Sequence, residues 1–510
     1  MTTVPTTTKL PDAVQLNSGH RLLRTLALQC AVLVVVLVSA SVIEATQLKS
    51  LGNATSWLQL QVGNWIVANR AVPHSGILSR SSDLPWANPN WGLQLWLAGL
   101  SRIIGLRAIP VVVMVFRLLF ALAIFVLAGG RRGNFWLAIL ISLWAQIAVS
   151  SSSLPAASCS AILFSLELFL LLRSRASCRP KLLYWIPLLI LLWVNLDWRF
   201  VLGVIVFWLF CGASAIEPLL RRHLGSREEP APLGLVAGLT CIASLVSPNS
   251  YHSYVTAWQD LFGASLRENS LATAMLTFRE PQHYLLMALA MCAFLLLGRR
   301  QARDLFQVSL LAAGVSLGFA LGSEAWIIAV TSVAVIGEFV SRAQAERSVQ
   351  ISVTVFRIAL AVAAVALLIA AMRIPSSSES LLKVMAAQKL PVQACDFVRK
   401  NHLPGPIFNK IEWGGFLAWY LPEYPVAIDD RYELYGESRT KLYYEVAKGQ
   451  AKPSSDPTLA AANTILFSPS DSVVWSPDMF PNKEEAFRLS FPGFHEVYRD
   501  DLALVLTKQQ

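Results

Sequence analysis

Long apolar stretches recur along this chain, and they restrict its fold more than any other feature. The first of them, Leu26–Ile43, is long enough to cross a bilayer as an α-helix. Ten more follow at short intervals, at about residues 108–129, 134–150, 156–173, 182–198, 200–217, 232–248, 283–298, 305–322, 324–341 and 352–372. Only 15% of the 510 residues are charged and 55% are hydrophobic, which excludes an ordinary soluble protein of this size. The sequence therefore predicts a polytopic α-helical membrane protein with about eleven transmembrane helices.

The basic residues lie in short clusters between these stretches, and the net charge is +10 at pH 7. With the N-terminus in the cytoplasm, the clusters fall on the cytoplasmic side: Arg131/Arg132, Arg173/Arg175/Arg179/Lys181, Arg221/Arg222, Arg299/Arg300 and Arg342/Arg347. This is the positive-inside pattern of membrane proteins rather than a surface that binds nucleic acid. We therefore expect a multi-pass protein with a cytoplasmic N-terminus and no nucleic-acid partner.

An odd number of spans places the two ends of the chain on opposite sides of the membrane. We expect a cytoplasmic tail at residues 1–21, a transmembrane domain at 22–373, and an extracytoplasmic C-terminal domain at 374–510. The transmembrane domain contains two longer polar segments, the first loop (45–107) and the second loop (249–281). Both loops are predicted to lie on the same outer side as the C-terminal domain.

The first loop contains two Trp-rich segments, Trp57–Val67 and Trp91–Ile104. Their amphipathic character predicts segments that lie against the membrane interface, where tryptophan acts as an anchor. Stacking of tryptophan on a sugar ring is the alternative function of these residues.

The C-terminal domain has a pattern of short strands and helices, which predicts a mixed α/β fold. The predicted strands are Ile407–Phe408, Val426–Ile428, Thr464–Phe467, and a closing hairpin of Glu496–Tyr498 and Leu502–Leu506. The predicted helices are Glu379–Asn401, Tyr432–Ala447 and a short turn at Glu484–Ser490. Cys395 is the single cysteine of this domain, so the domain has no internal disulfide. No cysteine or histidine spacing in the chain indicates a metal site.

One stretch of the C-terminal domain, residues 408–435, is rich in aromatic residues, glycine and charge. It reads FNKIEWGGFLAWYLPEYPVAIDDRYELY, and its adjacent glycines, Gly414 and Gly415, indicate a close backbone approach or a tight turn. The predicted strand Val426–Ile428 delivers three charged residues at its C-terminal end, where α/β folds place functional groups. Taken singly these residues also suit a structural turn and an Asp–Arg pair, but the whole stretch favours a binding site. The candidate residues are Trp413, Gly414, Gly415, Trp419, Asp429, Asp430, Arg431 and Tyr435.

These residues carry a resemblance to a known class of membrane enzymes. The stretch resembles the GGYLxW…DGRxxLY motif of a group of bacterial proteins similar to the GT-C class of membrane glycosyltransferases. The matching residues are Phe408, Asn409, Gly414, Gly415, Leu417, Trp419, Asp429, Arg431, Leu434 and Tyr435. A large first loop, many spans and an extracytoplasmic α/β domain are also similar. The resemblance implies a bacterial inner membrane, a polyprenyl-phosphate sugar donor, and a glycan, lipid or protein acceptor that residues 413–435 bind on the outer face.

The first half of the chain departs from the pattern of that group. The GT-C class needs a carboxylate in the first loop, as a base for the acceptor hydroxyl or as a ligand of a divalent cation such as Mg²⁺ or Mn²⁺. The corresponding motif here is Trp57–Gly63, and residues 53–56 before it include no carboxylate. Where the group has NLHGG, Asn195–Phe200 reads NLDWRF. Catalysis therefore requires a rearranged set of carboxylates.

Three carboxylates remain as candidates for the catalytic function: Glu44, Asp83 and Asp197. Glu44 lies at the end of the first span, where an ordinary interfacial residue is the alternative. Asp83 also suits a turn, and Asp197 also suits a structural pair with Arg199. A guanidinium makes bidentate contacts with phosphate, so outer-face arginines are the candidates for holding the donor phosphate. These arginines are Arg199, Arg267 and Arg279.

Three functions stay open from the sequence. The first is a glycosyltransferase that uses the residues named above. The second is a non-catalytic GT-C relative that binds a glycan or assists assembly, which the missing first-loop carboxylates favour. The third is a transporter or flippase, which the clean apolar spans disfavour because transporters hold polar groups near the membrane midplane.

Overall fold

The structure is a computed structural model of the chain. It describes residues 12–508 except for 131–132, 151–154, 178, 221–232, 264–275, 277, 300–303, 344–349, 388–389, 448–449 and 469–492. The predicted helical turn Glu484–Ser490 and the candidate residue Arg267 therefore lie outside the described residues.

Apolar helices coincide with all of the predicted spans. The helices of the first 373 residues, numbered in chain order over the described part, are α1 (Asp12–Gln47), α2 (Ala54–Asn69), α3 (Trp91–Ile104), α4 (Ala108–Leu127), α5 (Phe135–Ala148), α6 (Pro155–Ala176), α7 (Trp185–Trp193), α8 (Phe200–Leu220), α9 (Leu233–Leu245), α10 (His252–Phe262), α11 (Pro281–Gly298), α12 (Leu305–Ala320), α13 (Trp326–Ala343) and α14 (Val353–Arg373). Among the described residues, seven segments are long and apolar enough to cross a membrane. Four shorter apolar helices occupy the remaining predicted spans. The chain is a polytopic α-helical membrane protein, as predicted.

The helices of the bundle divide into a buried centre and a lipid-facing boundary. The apolar part of α13 is 83% buried inside the protein, so this helix lies at the centre. The corresponding parts of α1 and α14 are only 28% and 22% buried. Exposed leucine and valine side chains on these outer helices suit a lipid environment, because lipid tails are as apolar as the side chains themselves.

The C-terminal domain is built on a four-stranded sheet, which confirms the mixed α/β prediction. The strands are β1 (Ile407–Asn409), β2 (Thr464–Phe467), β3 (Phe494–Arg499) and β4 (Leu504–Lys508), in the spatial order β1-β2-β4-β3. Strand β1 is parallel to β2, with Phe408 opposite Ile465, and the other two pairs are antiparallel. The helices of the domain are α15 (Ser378–Ala387), α16 (Val392–Lys400), α17 (Gly414–Tyr420), α18 (Tyr432–Ala447) and α19 (Pro457–Ala460).

Two of the secondary-structure elements predicted for this domain are wrong. The predicted helix Glu379–Asn401 is two helices, because Pro391 lacks a backbone N–H and disfavours helical backbone in the residue before it. The predicted strand Val426–Ile428 does not join the sheet and makes only an isolated bridge to Ser79. The Asn409 side chain instead makes hydrogen bonds with the backbone of this segment. Its Oδ1 accepts from the Ala427 N–H (2.9 Å), and its Nδ2 donates to the Ile428 carbonyl oxygen (2.8 Å).

Helix α2 is packed inside the protein along most of its length, whereas its sequence predicts a segment laid against the membrane interface. Its Trp57 is fully buried, and the indole packs on Trp419 of the C-terminal domain with ring centroids 4.3 Å apart. The helix buries residues on several sides because α3 covers one side and α17 covers another. Burial on several sides is typical of a core position. The first loop and the C-terminal domain therefore form one packed unit.

The two adjacent glycines make the packing of α17 on α2 possible. A Cβ atom at Gly415 would lie 2.5 Å from the Ala54 carbonyl oxygen. A Cβ atom at Gly414 would lie 2.3 Å from the Ile428 carbonyl oxygen. Both contacts are with backbone, which cannot move aside as a flexible side chain does. The predicted close backbone approach at this site is confirmed.

We expect Gly415→Ala to lower the free energy of unfolding by about 1–3 kcal/mol, because the added methyl group overpacks the α2–α17 contact. The matched control is Gly99→Ala in α3, where a Cβ meets nothing within 4 Å. That control should be neutral or stabilising, since alanine favours a helix over glycine by up to about 1 kcal/mol. Thermal unfolding of the detergent-purified variants measures both effects. Equal midpoints for Gly415→Ala and the control would contradict this packing.

Candidate functional site

A buried arginine holds two carboxylates at the end of the bundle that faces the C-terminal domain. Arg199, 6% exposed, precedes α8 and donates from Nε to both carboxylate oxygens of Glu324 (2.8 and 2.9 Å). Its Nη1 donates to Asp197 Oδ2 at 3.1 Å. Asp197 is fully buried and also accepts from the Ser160 hydroxyl at 2.6 Å. Because two carboxylates share one guanidinium, the cluster of Arg199, Asp197 and Glu324 has more negative than positive charge.

A second buried arginine lies in the C-terminal domain, and the first loop completes its surroundings. Arg431 makes a bidentate contact with Asp429 at 2.7 and 2.9 Å, and Tyr435 donates to the same carboxylate at 3.0 Å. Its Nη1 donates to the carbonyl oxygen of Ile77 in the first loop, at 3.0 Å. The Trp86 ring stacks over the guanidinium, with its centroid 4.7 Å from Cζ. The predicted Asp–Arg pair is therefore formed, and it is shared between two parts of the chain.

Three further carboxylates lie between these arginines and stay accessible to solvent. Glu433 accepts from the Trp86 indole N–H at 3.0 Å, and Asp430 accepts from the Thr55 hydroxyl. Asp260 projects from α10 and interacts electrostatically with Glu433, Arg199 and both partners of Arg199. Asp430 is exposed, and Asp260 and Glu433 are partly exposed. All three lie where the first loop, α10 and the C-terminal domain meet, and we call this solvent-accessible boundary the cleft.

This environment disfavours the charged form of each cleft carboxyl group. Although the Asp430 side chain reaches solvent, the protein around it removes part of its hydration; this desolvation, reinforced by the charge of Asp429, raises the pKa of Asp430 to about 6. Burial raises the pKa of Glu433 to about 7. Burial and the neighbouring charge of Glu433 hold the pKa of Asp260 well above its usual range. Carboxyl groups that exchange protons near neutral pH are suited to general acid–base chemistry.

The candidate catalytic residues from the sequence occupy three different places. Glu44 is 2% exposed, accepts from the Ser50 backbone N–H at 2.9 Å, and lies 3.9 Å from Arg117 Nη2. Asp83 is exposed in a turn of the first loop. Asp197 lies in the Arg199 cluster described above. The structure therefore does not bring the three together.

Some of the candidate binding residues are buried in the packing of α17, whereas Asp430 lies at the cleft. Trp413, Gly414 and Gly415 are buried where α17 packs, and Trp419 is half-buried against Trp57. Asp430 lines the cleft, with the Arg431 cluster directly behind it. Arg279 is exposed in the second loop.

The sequence interpretation missed Asp260, Glu433 and Glu324. Glu433 follows Asp430 by three residues within the motif stretch, a spacing that places side chains on one side of a helical turn. Asp260 follows Ser253, Thr256 and Ala257 at helical spacing, and these three are buried on the packed face of α10. Glu324 is a lone carboxylate between two apolar spans. These two spacings, and the isolated position of Glu324, are the sequence features that could have identified the three residues.

The described carboxylates do not fit the divalent cation that the GT-C resemblance offers as an option. Among the residues that the structure describes, no group of three or more His, Cys, Asp or Glu side chains is arranged to hold a metal ion. Asp197 and Glu324 are engaged by Arg199, and Asp429 is engaged by Arg431.

An apolar groove of about 1360 Å³ runs along the bundle beside the Arg199 cluster. Its walls come from α3, α6, α7 and residues 245–250, with Leu170, Leu188 and Leu192 among the lining side chains. Asn195 is one of its polar lining residues, and its side chain accepts from Trp91 Nε1 at 3.1 Å and donates to the Val246 carbonyl oxygen at 3.0 Å. Because Asn195 precedes Asp197 by two residues, the Asn195 end of the lining, as we call it, is the part nearest in the chain to the Arg199 cluster.

Comparison with known proteins gives a whole-chain similarity to a solved structure. No family model matches the chain, and no curated protein matches it. Among solved structures, the chain is similar to the crystal structure of ArnT from Cupriavidus metallidurans bound to undecaprenyl phosphate. The similarity covers 94% of this chain and 97% of that chain, at 13% identity and a TM-score of 0.46.

We expect the stability of the protein to fall between pH 5 and pH 8 because of Glu433. Its pKa is about 7 in the folded chain against a usual 4.5, so the fold favours the protonated form. The resulting stabilisation is complete below about pH 4.5 and is lost as pH rises through 7. Glu433→Gln stays neutral and should be more stable than the wild type at pH 8, by about 1–3 kcal/mol, with little difference at pH 5.

Thermal unfolding at the two pH values measures this difference. Glu379→Gln is the matched control, because Glu379 is 80% exposed on α15 and pairs only with Lys383 on the surface among the described residues. The control should change stability equally at both pH values. A Glu433→Gln variant that behaves like the control would show that the cleft does not favour a protonated carboxyl.

Proposed function

We propose that this chain is a membrane glycosyltransferase-like protein that transfers a sugar from a polyprenyl-phosphate donor to a glycan, lipid or protein acceptor. The observation that carries the proposal is the position of the apolar groove, whose Asn195 end adjoins the cluster beside the cleft carboxyl groups. A polyprenyl-phosphate sugar has a long apolar chain and a polar reacting group. It therefore needs an apolar groove and reactive carboxyl groups side by side. In this proposal the protein lies in a bacterial inner membrane, with its N-terminus in the cytoplasm and the C-terminal domain outside.

The groove supports a polyprenyl chain as its occupant. Leucine, tryptophan and valine supply thirteen of its eighteen lining residues, and several of these side chains are exposed. Each buried CH₂ group of a ligand contributes about 0.8 kcal/mol, so a chain of many isoprene units binds such a groove without polar contacts. Arg279 and Arg267, which the sequence assigns to the second loop, are the arginines proposed to contact the donor phosphate. Arg199 would instead hold Asp197 and Glu324 in place.

The cleft carboxyl groups support the chemical step. A sugar hydroxyl is a poor nucleophile at neutral pH, so the reaction needs a base. We assign that base to Glu433 or Asp260, with Glu44, Asp83 and Asp197 as the alternatives from the sequence. The acceptor oxygen would bond to the sugar C1, the bond from C1 to the phosphate oxygen would break, and the acceptor proton would pass to the carboxylate. The lipid phosphate leaves with the bonding electron pair. Residues 413–435, with Asp430 at the cleft, would bind the acceptor.

A second candidate function is a non-catalytic GT-C relative that binds a glycan or assists assembly. The observation in its favour is the neutral start of α2, which places Thr55 rather than a carboxylate at the cleft. Transport of a lipid-linked sugar is a third candidate. Arg117, Gln146 and Glu167 give it some support, because they are polar residues within apolar helices.

Release of labelled sugar from a panel of polyprenyl-phosphate sugars distinguishes these functions. We expect release by the wild type and a fall of about 10²-fold or more in Glu433→Gln or Asp260→Asn, because each removes a proton acceptor. Glu379→Gln on the surface is the matched control, and Glu44→Gln and Asp197→Asn test the alternative carboxylates. Parallel reactions with Mg²⁺, Mn²⁺ or EDTA test a need for a cation.

The other outcomes of this assay contradict the enzyme proposal in specific ways. Saturable binding of the carrier or of a glycan without any release would favour the binding protein. Movement of the lipid-linked sugar across proteoliposomes without release would favour the transporter. Equal release by every variant would remove the cleft carboxyl groups from the mechanism.

We expect Leu192→Trp to weaken binding of long-chain donors by about tenfold, because the larger side chain fills the groove and displaces apolar contact worth about 1.4 kcal/mol. Leu192 is 51% exposed in the groove, and Leu140 of α5 is 63% exposed away from it. Leu140→Trp is therefore the matched control. KM for a long-chain donor should rise only in Leu192→Trp, and a short-chain donor should not distinguish the two variants. An unchanged KM for the long chain would place the donor elsewhere.

A further inference from the structure

One arginine in the membrane bundle is incompletely hydrogen-bonded among the described residues. Arg117 lies in the middle of α4, one of the helices that are long and apolar enough to cross the membrane. Its Nε is buried and makes no hydrogen bond in the described part of the chain. Its Nη2 forms an ion pair with Glu44 Oε2 at 3.9 Å, which is beyond hydrogen-bond distance, while Glu44 Oε1 accepts from the Ser50 N–H. Charged residues within a membrane span are costly and generally have a functional cause.

A buried amide close to Arg117 is also unsatisfied. Both polar atoms of the Gln146 side chain, Oε1 and Nε2, are buried without a hydrogen-bond partner in the part of the chain that the structure describes. Gln146 lies in the last turn of α5, at the end of the bundle that faces the C-terminal domain. Each such orphan costs about 1–3 kcal/mol in a protein interior. Two orphan side chains lining one cavity require a common explanation.

Arg117 and Gln146 line the same small cavity between α1, α4, α5, α6 and α13. About 50 Å³ of it is open to water-sized groups, several times the space that a single water needs. The remaining walls include the rings of Phe116, Phe120 and Trp326. The cavity and the donor groove are both bordered by α6, but they share no lining residue. It is therefore a separate site.

The orphan atoms define the chemistry of a ligand. The guanidinium and the amide NH₂ are hydrogen-bond donors, which suits an anionic oxygen. The amide Oε1 is an acceptor, which suits a hydroxyl on the same ligand. We infer that this cavity binds a phosphate-class oxyanion that carries a protonated oxygen or an adjacent hydroxyl. Free phosphate and a lipid phosphate monoester share this chemistry.

Glu44 makes the inference testable, because removing its charge and removing the donors should change binding in opposite directions. An anion at Arg117 would lie close to the Glu44 carboxylate and would be repelled by it. Removing that charge should therefore tighten binding, whereas removing the donors should weaken it. A structural function of Arg117 and Glu44 as an ion pair predicts no phosphate binding at all, and hence no opposite response of the two variants.

The test measures binding of ³²P-orthophosphate to the full chain in detergent, and retention of the chain on phosphatidylcholine vesicles with and without phosphatidic acid. We expect Arg117→Gln to lower the affinity about tenfold or more, Gln146→Leu to lower it severalfold, and Glu44→Gln to raise it. Arg102→Gln is the matched control, because Arg102 is exposed in α3. Gln146→Leu and Glu44→Gln keep the charge of Arg117, so they retain the test if Arg117→Gln fails to fold.

Either of two results supports the inference and identifies the source of the phosphate. Orthophosphate binding with this pattern of variants indicates a free anion. A dependence on phosphatidic acid with the same pattern indicates a lipid headgroup. The inference is overturned if the wild type binds neither probe, or if Arg117→Gln, Gln146→Leu and Glu44→Gln bind as Arg102→Gln does, in which case water fills the cavity. Sugar transfer is not needed for this test, so its outcome is independent of the proposed function.

Discussion

The contact of α17 with α2 is the constraint on which the rest of the outer structure depends. Because Gly415 has no side chain, the helix of the C-terminal domain lies directly on the Ala54 backbone, and Trp57 is enclosed between them. This contact sets the distance between the first loop and the motif stretch. It thereby brings Thr55 to Asp430, Trp86 to Glu433, and the Ile77 carbonyl to Arg431. A wider separation would break all three contacts and leave the Arg431 guanidinium incompletely satisfied.

This geometry brings more carboxylates than arginines together around the cleft. Arg199 and Arg431 together neutralise only two of the carboxylates that surround them, while Asp197, Glu324, Asp429, Asp430, Asp260 and Glu433 all lie in the same region. Asp197, Glu324 and Asp429 each have a close arginine contact. Asp260, Asp430 and Glu433 have no such contact, and the pKa of each of these three carboxyl groups is raised. The two arginines therefore separate structural carboxylates from those able to exchange protons.

The sequence predicted the elements whose cause is local, and it failed where the cause is distant in the chain. Apolar length located the spans, and adjacent glycines located the close approach at Gly415. The burial of α2 was missed because its partner, α17, lies more than 300 residues away. The same applies to the cleft: the Trp86–Glu433 hydrogen bond joins residues 347 positions apart, and the Thr55–Asp430 bond joins residues 375 apart. Val426–Ile428 was misjudged because the Asn409 side chain replaces a neighbouring strand, which no strand pattern indicates.

Trp326 connects the two polar regions of the bundle. One part of its side chain lines the cavity of Arg117 and Gln146, and its indole N–H donates to Glu324 at 2.9 Å. Glu324 in turn binds Arg199, whose cluster adjoins the cleft. The single polar atom of the Trp326 side chain is thereby used by Glu324, so the part of Trp326 that lines the cavity offers no hydrogen bond to Arg117 or Gln146. The buried Nε of Arg117 and the amide atoms of Gln146 stay without a partner among the described residues. In the inference above, the phosphate-class ligand is that partner.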